Sequence, residues 1–240
     1  FLMSLLAERI DIVKQRIKKA AKKAGRNEDE ILLLAVTKTQ NLTAVNEAIK
    51  CGLHSFGENY VQEGIKKIKA IENKTIDWHF IGPLQANKTK IVATNFDWIH
   101  SLDQVKTARR LSDQRPASLS PLNVCIQVNI DNEPTKHGIA ANRLAETVDR
   151  IVGLPQIKLR GLMAIPAPRI AHDCQRQAFR KLVKLREEVN ARLDKCQKLD
   201  TLSMGMSFDL EAAIKEGATI VRVGTDIFGA RHFSDSSERL

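Results

Sequence analysis

The chain has 240 residues, 43% of them hydrophobic and 28% charged, with 12 Gly and 7 Pro. That composition excludes disordered, collagen-like and disulfide-framework proteins. Its longest unbroken apolar run, Ile31 to Val36, is far too short to span a bilayer, and 38 basic against 28 acidic residues leave a formal charge of +10 that favours anionic partners.

Leu6, Ile10, Val13, Ile17, Ala21 and Ala24 recur at helical spacing, with Gly25 placed as a C-terminal cap. Ile31 to Val36 reads as a strand buried on both faces. A helix over 42–50, a short strand over 54–56 and a helix over 58–71 follow. Next come a strand over 76–81, a helix over 84–94, a strand over 98–101 and a helix over 103–112. After Pro116 and Pro121, residues 122–130 are strongly strand-like. The rest predicts a helix over 140–152, a strand over 157–165, a helix over 173–196, a strand over 201–204, a helix over 208–216 and a strand over 220–223. About eight strands, each followed by a helix, imply a parallel α/β sheet closed as a single (β/α)8 TIM barrel over residues 1–240, with an extra N-terminal helix. No G-x-G-x-x-G follows any strand, which counts against a dinucleotide fold.

The amino end lacks the layout of a signal peptide, and Cys51, Cys125, Cys174 and Cys196 are widely spaced with no C-x-x-C pair. The expectation is a reducing, cytoplasmic setting with no zinc site and no membrane segment. Basic residues crowd the first helix (Lys14, Arg16, Lys18, Lys19, Lys22, Lys23, Arg26) and a later one (Lys66, Lys67, Lys69). No aromatic residues interleave them as stacking platforms, so solvated helix faces are expected rather than a nucleic-acid surface.

A TIM barrel places its chemistry at the carboxyl ends of the strands. Lys38 ends the first strand in LLLAVTKTQ. A lysine desolvated there becomes an amine nucleophile toward aldehydes, although position alone equally allows a surface lysine. FGENYVQE puts Glu58, Asn59 and Tyr60 at the mouth, and WHFIGPLQANK adds His79, Gly82, Pro83 and Gln85. His79 alternates with Trp78 and Phe80, so it points into the barrel if those aromatics pack outward, as a structural or a functional group. In LSMGMSFDLEAAIKEG, Ser207 is expected at a helix N-cap, and in VRVGTDIFGAR, Gly224 and Thr225 begin a helical turn. Both suit a phosphate, and both are also ordinary capping positions. Arg222, inside the last strand, needs an acceptor, and a ring nitrogen is one candidate. A nucleophilic lysine, a phosphate cradle and an interior arginine together fit pyridoxal 5′-phosphate.

The motifs LLAVTKTQ, FGENYVQE, WHFIGPLQANK, LRGLMAIP, LSMGMSFDLEAAI and VRVGTDIFGAR resemble the pyridoxal phosphate homeostasis protein family, also called proline synthetase co-transcribed homologues. The likeness runs from the N-terminal helix to Arg231. It implies the barrel of the N-terminal domain of alanine racemase and pyridoxal phosphate held as a Schiff base on Lys38. It further implies that Ser207, Gly224 and Thr225 hold the phosphate, that Arg222 faces the pyridine nitrogen, and that Asn59 and His79 line the ring.

An arginine on the ring nitrogen keeps it unprotonated and makes the ring a poorer electron sink. In alanine racemase the second base is a tyrosine from a further β-domain of the partner subunit, which is not expected here, where Tyr60 is the only tyrosine. The expected function is therefore non-catalytic: buffering the cofactor in the cell and supplying it to apoenzymes, from a monomer. The alternatives are a weak racemase-like enzyme, a Schiff-base aldolase that would leave Arg222 unexplained, and a nucleic-acid-binding protein.

Overall fold

Alternation of strands and helices closes the chain on itself. The computed structural model describes residues 4–71 and 73–229; Arg231 and the tail beyond it lie outside the described residues. Eight parallel strands are hydrogen-bonded in sequence order, and β1 also pairs with β8, which completes the barrel. The strands are β1 (Leu32–Val36), β2 (Ser55–Glu58), β3 (Asp77–Phe80), β4 (Trp98–Leu102), β5 (Leu122–Gln127), β6 (Ile157–Met163), β7 (Thr201–Met206) and β8 (Ile220–Val223). The helices are α1 (Leu5–Lys23), α2 (Leu42–Lys50), α3 (Val61–Ala70), α4 (Thr89–Asn95), α5 (Val105–Gln114), α6 (Leu144–Ile151), α7 (His172–Asn190), α8 (Leu210–Lys215) and α9 (Thr225–Phe228). Among the described residues, no helix is long and apolar enough to cross a membrane.

Local chemistry explains where elements start and stop. The Ser4 hydroxyl accepts from the Ala7 N–H and begins α1, whose stripe of Ile10, Val13, Ile17, Ala20 and Ala21 is buried. Gly25, at φ +68°, ends it. Trp78 and Phe80 pack outward into the apolar cluster between strands and helices, together with Phe56, Phe96 and Ile99. Leu34, Cys125 and Met163 are fully buried but stand apart from that cluster, and Leu34 pairs in register with Arg222.

Several sequence expectations shift at their ends, and the helix expected from 84 begins only at Thr89. The helix after β2 begins at Val61, not at 58, because Glu58 still belongs to the strand. The helix expected to reach Cys196 stops at Asn190, whose side-chain amide bonds both the N–H and the carbonyl of Leu199 and turns the chain back. The strand over 122–130 ends at Gln127. Helix α8 begins at Leu210 with Asp209 in the cap position, so Ser207 lies in the preceding turn and does not cap it.

Candidate functional site

The strand ends surround a cavity of about 330 Å³ at the carboxyl face of the barrel. Lys38, Asn59, Ser207, Arg222, Gly224 and Thr225 all line it. Six residues scattered over 188 positions of sequence thus meet around one space. Thr39, Ile81, Ile165, Met206 and Phe208 also belong to the wall and were not singled out by sequence; Phe208 and Met206 leave an exposed apolar lip. Tyr60, expected at the mouth, is an exposed residue that does not line the cavity.

Lys38 sits half-buried in the turn that leaves β1. Its neighbours are tightly held. The Thr37 N–H donates to the Gly57 carbonyl at 3.0 Å, and the Thr39 N–H donates to Glu63 Oε1 at 2.6 Å. Thr39 has φ +65°, a left-handed conformation that a β-branched residue adopts only when its surroundings impose it. The imposing group is a buried ion cluster behind the turn. Lys67 Nζ donates to the Thr37 carbonyl (2.6 Å), to Glu58 Oε1 (2.7 Å) and to Glu63 Oε1 (2.7 Å), and Thr37 Oγ1 donates to Glu58 Oε1 at 2.5 Å. Two sequence expectations are corrected here. Lys67 is only 4% exposed instead of lying on a solvated helix face, and Glu58 is wholly buried behind the turn instead of facing the mouth. Burial pushes the Glu58 carboxyl above its usual range, against the pull of Lys67 and Thr37.

Asn59 follows β2, and its Oδ1 is buried without a hydrogen-bond partner among the described residues. Gly82 holds this segment close: a Cβ there would lie 2.0 Å from the Asn59 carbonyl oxygen. On the far wall, Ser207 is half-buried in the turn after β7, and Gly224 packs against Val36, where a Cβ would come within 3.3 Å of its carbonyl oxygen. The Asp209 carboxylate accepts from the Met206 N–H at 2.7 Å and tightens the same turn.

This far wall is tied to the N-terminal helix by Arg16. Its guanidinium donates to Glu211 Oε1 (2.7 Å) and Oε2 (2.9 Å), to Asp226 Oδ2 (2.5 Å) and to the Ser207 carbonyl (2.9 Å). Arg16 therefore leaves the solvated face expected for it. Lys19, Lys22 and Lys23 do lie exposed. Hydrogen-bonded Arg16 also holds the Glu211 carboxyl below its usual range, although burial alone would raise it.

Arg222 is 4% exposed, and burial draws its pKa down to about 10. It donates from Nη1 to Ser203 Oγ at 2.7 Å and from Nη2 to the Ala164 carbonyl at 3.0 Å. His79 points into the barrel, stacked on Trp98 at 5.3 Å, but it lies beneath the cavity and does not line it. Burial lowers its pKa to about 3, so it is a neutral imidazole at physiological pH. Its contact is His100, which sequence reasoning passed over. The spacing Trp98-x-His100 on a strand was the available signal, since it sends both rings to the face that His79 occupies.

The donor set suits a flat anionic ligand carrying an aldehyde: a primary amine, a buried cation, an orphaned amide oxygen and a wall of hydroxyl and glycine backbone. The profile of the alanine racemase N-terminal domain family matches residues 9–232. A pyridoxal phosphate homeostasis protein of Pseudomonas aeruginosa is 50% identical over 231 residues, covering 96% of this chain and 98% of that one. The homologue of the same name in Escherichia coli K12 is 47% identical over 235 residues, with 97% and 99% covered. Among solved structures, PipY of Synechococcus elongatus with pyridoxal phosphate bound superposes with a TM-score of 0.80 at 32% identity, over 93% of this chain and all of that one. Alanine racemase of Clostridium difficile shares the fold, with a TM-score of 0.71 at 15% identity, over 96% of this chain and 57% of that one.

Proposed function

The chain belongs to the pyridoxal phosphate homeostasis protein family, and on that footing we propose that it holds pyridoxal 5′-phosphate in this cavity and buffers or supplies it in the cytoplasm, without efficient turnover of a substrate. The observation that carries this reading is that Lys38 and Arg222 line one cavity together with Ser207, Gly224 and Thr225. PipY, a relative of the same fold at 32% identity, was solved with the cofactor bound, which supports the assignment.

When bound, the cofactor supplies an aldehyde that condenses with a primary amine, and Lys38 is the amine in reach of the cavity. Thr37 and Thr39, clamped from behind by Lys67 and Glu63, fix the direction from which that amine enters. Ser207, Gly224 and Thr225 would hold the phosphate through hydroxyls and backbone N–H groups. The unsatisfied Asn59 side chain would gain a partner beside the ring, and Ile81 and Ile165 would exclude water from it.

Arg222 sets the chemical character of the site. A guanidinium only donates hydrogen bonds, so a ring nitrogen facing it must accept and stays unprotonated. An unprotonated ring is a weak electron sink, and carbanion chemistry is restrained. Storage of the aldehyde for apoenzymes suits such a site better than turnover does.

The test is chemical trapping. Purified protein supplied with pyridoxal phosphate is expected to absorb in the visible range, to lose that band on borohydride reduction, and to carry the reduced label on Lys38 by peptide mapping. Lys38→Ala is expected to abolish the label. Colourless protein, or a label on another residue, overturns the assignment.

A further inference from the structure

Beneath the cavity the barrel is polar, where such barrels are ordinarily filled by branched apolar side chains. Four strands contribute to one continuous contact chain. His79 Nδ1 on β3 lies 2.9 Å from His100 Nε2 on β4, and His100 Nδ1 lies 2.7 Å from Ser203 Oγ on β7. Arg222 on β8 closes the chain onto that same hydroxyl at 2.7 Å. His79, His100 and Ser203 are completely buried.

Counting donors and acceptors gives the chain a direction. Arginine only donates, so Ser203 Oγ accepts from it. The serine hydroxyl must then place its own proton, and His100 Nδ1 is the acceptor it touches. His100 accordingly carries its proton on Nε2 and donates it to His79 Nδ1. His79 carries its proton on Nε2, a buried atom that has no partner among the described residues. Running the chain backwards would strand two groups, the Ser203 proton and the His79 Nε2 lone pair, so the forward direction is favoured. The arginine charge also makes the serine a stronger donor toward His100. Both rings are neutral, as a one-way chain requires: burial pulls His100 well below its ordinary range, as it does His79.

We infer that Ser203, His100 and His79 are positioning residues for Arg222, holding its guanidinium in one orientation so that N–H groups not used by Ser203 and Ala164 meet the ring nitrogen of the cofactor. This rests on the reading of the cavity as a pyridoxal phosphate site. The need for a tether is electrostatic. An unrestrained guanidinium beside a dianionic phosphate would turn toward that charge, not toward a neutral nitrogen. Two fixed acceptors, Ser203 Oγ and the Ala164 carbonyl, hold it at the depth of the ring instead. Stacking of His79 on Trp98, with the rings within 5° of parallel, anchors the far end of the chain.

The test compares affinities of the full chain for pyridoxal 5′-phosphate and for its 1-deaza analogue, in which C–H replaces the ring nitrogen. The wild type is expected to prefer the nitrogen-containing ligand by roughly ten- to hundredfold, the worth of a hydrogen bond from a charged donor. Ser203→Ala is expected to narrow that ratio by about tenfold. A merely structural role would weaken both ligands alike, and an unchanged ratio overturns the inference. Wild-type protein that binds neither ligand sinks the cofactor reading itself, and this inference with it. Should Ser203→Ala fail to fold, long-range proton–nitrogen correlations of the ligand-free wild type decide. Protons on Nε2 of both His79 and His100 support the chain, and a proton on Nδ1 of either overturns it.

Discussion

The two walls of the cavity are braced by clusters of the same composition at different depths. Behind Lys38, one cation (Lys67) joins two carboxylates (Glu58, Glu63) and a backbone carbonyl. Behind Ser207 and Thr225, one cation (Arg16) joins two carboxylates (Glu211, Asp226) and a backbone carbonyl. Lys67 and Glu58 are 4% and 0% exposed, whereas the Arg16 and Glu211 side chains are 29% and 43% exposed. Depth decides what each brace is for. Ions removed from water cost several kcal/mol each, so the inner cluster holds only while every member is present. The outer cluster stays partly hydrated, contributes little to stability, and acts mainly on the local field and on the direction of two loops. The wall that carries Lys38 is thereby held more firmly than the wall that carries Ser207 and Thr225.

The largest expected effect tests the inner brace. Lys67→Met leaves Glu58 buried without its counter-charge and releases the Thr37 carbonyl. Removing one partner of a buried pair costs roughly 3–5 kcal/mol, to be read as a lowered urea midpoint at unchanged slope. The neighbouring Lys66 is exposed, and Lys66→Met is expected to stay within about 0.5 kcal/mol of wild type. Equal losses at the two positions would mean that Lys67 is not the keystone of the turn.

That pair of lysines also marks how far sequence reading reaches. Strand and helix alternation, the inward aim of His79 between two outward aromatics, and the convergence of Lys38, Asn59, Arg222 and Gly224 follow from periodicity and barrel geometry. Burial of Lys67 does not. Lys66, Lys67 and Lys69 look alike in a basic run, and which of them turns inward depends on the angle at which α3 packs, a tertiary quantity. Glu58 departs from the mouth for a related reason, because β2 ends two residues later than expected and sends that side chain behind the turn. Arg16 and the Ser203–His100 contact join residues 210 and 103 positions apart at their longest reach, and no local pattern announces such a meeting. Ser207 does not form the expected cap because Asp209 occupies the cap position and its side chain closes the Met206 turn.

An intermediate effect tests the outer brace. Glu211 and Asp226 sit in the first turns of α8 and α9, beside the wall assigned to the phosphate. Arg16 neutralises both. Arg16→Met is expected to cost about 1 kcal/mol or less in stability, yet to weaken pyridoxal phosphate relative to unphosphorylated pyridoxal by about fivefold, the equivalent of roughly 1 kcal/mol of added repulsion. Adding Glu211→Gln and Asp226→Asn is expected to restore the ratio, since the repelling charges are then gone. Equal weakening of both ligands would assign Arg16 to packing alone and erase the functional contrast between the walls.

The smallest effect is a difference in sign. Glu211 is held below its usual carboxylate range because the Arg16 bond outweighs burial, whereas Glu58 is pushed above it because burial outweighs Lys67. By linkage, Glu211 stabilises the fold at neutral pH and loses that contribution as pH falls from its ordinary value near 4.5 through the lowered one. Glu58 behaves oppositely: the folded chain takes up its proton more readily than the unfolded chain, so folding gains as pH falls from the raised value toward 4.5. Urea unfolding at a series of pH values reads this as two gaps. The stability gap between wild type and Glu211→Gln, a fraction of about 1 kcal/mol at neutral pH, should close in acid. The gap between wild type and Glu58→Gln should move in favour of the wild type earlier in the descent, between the raised Glu58 value and 4.5. Parallel movement of the two gaps would place both carboxylates in equivalent surroundings, and the distinction between a dry brace and a wet one would fall with it.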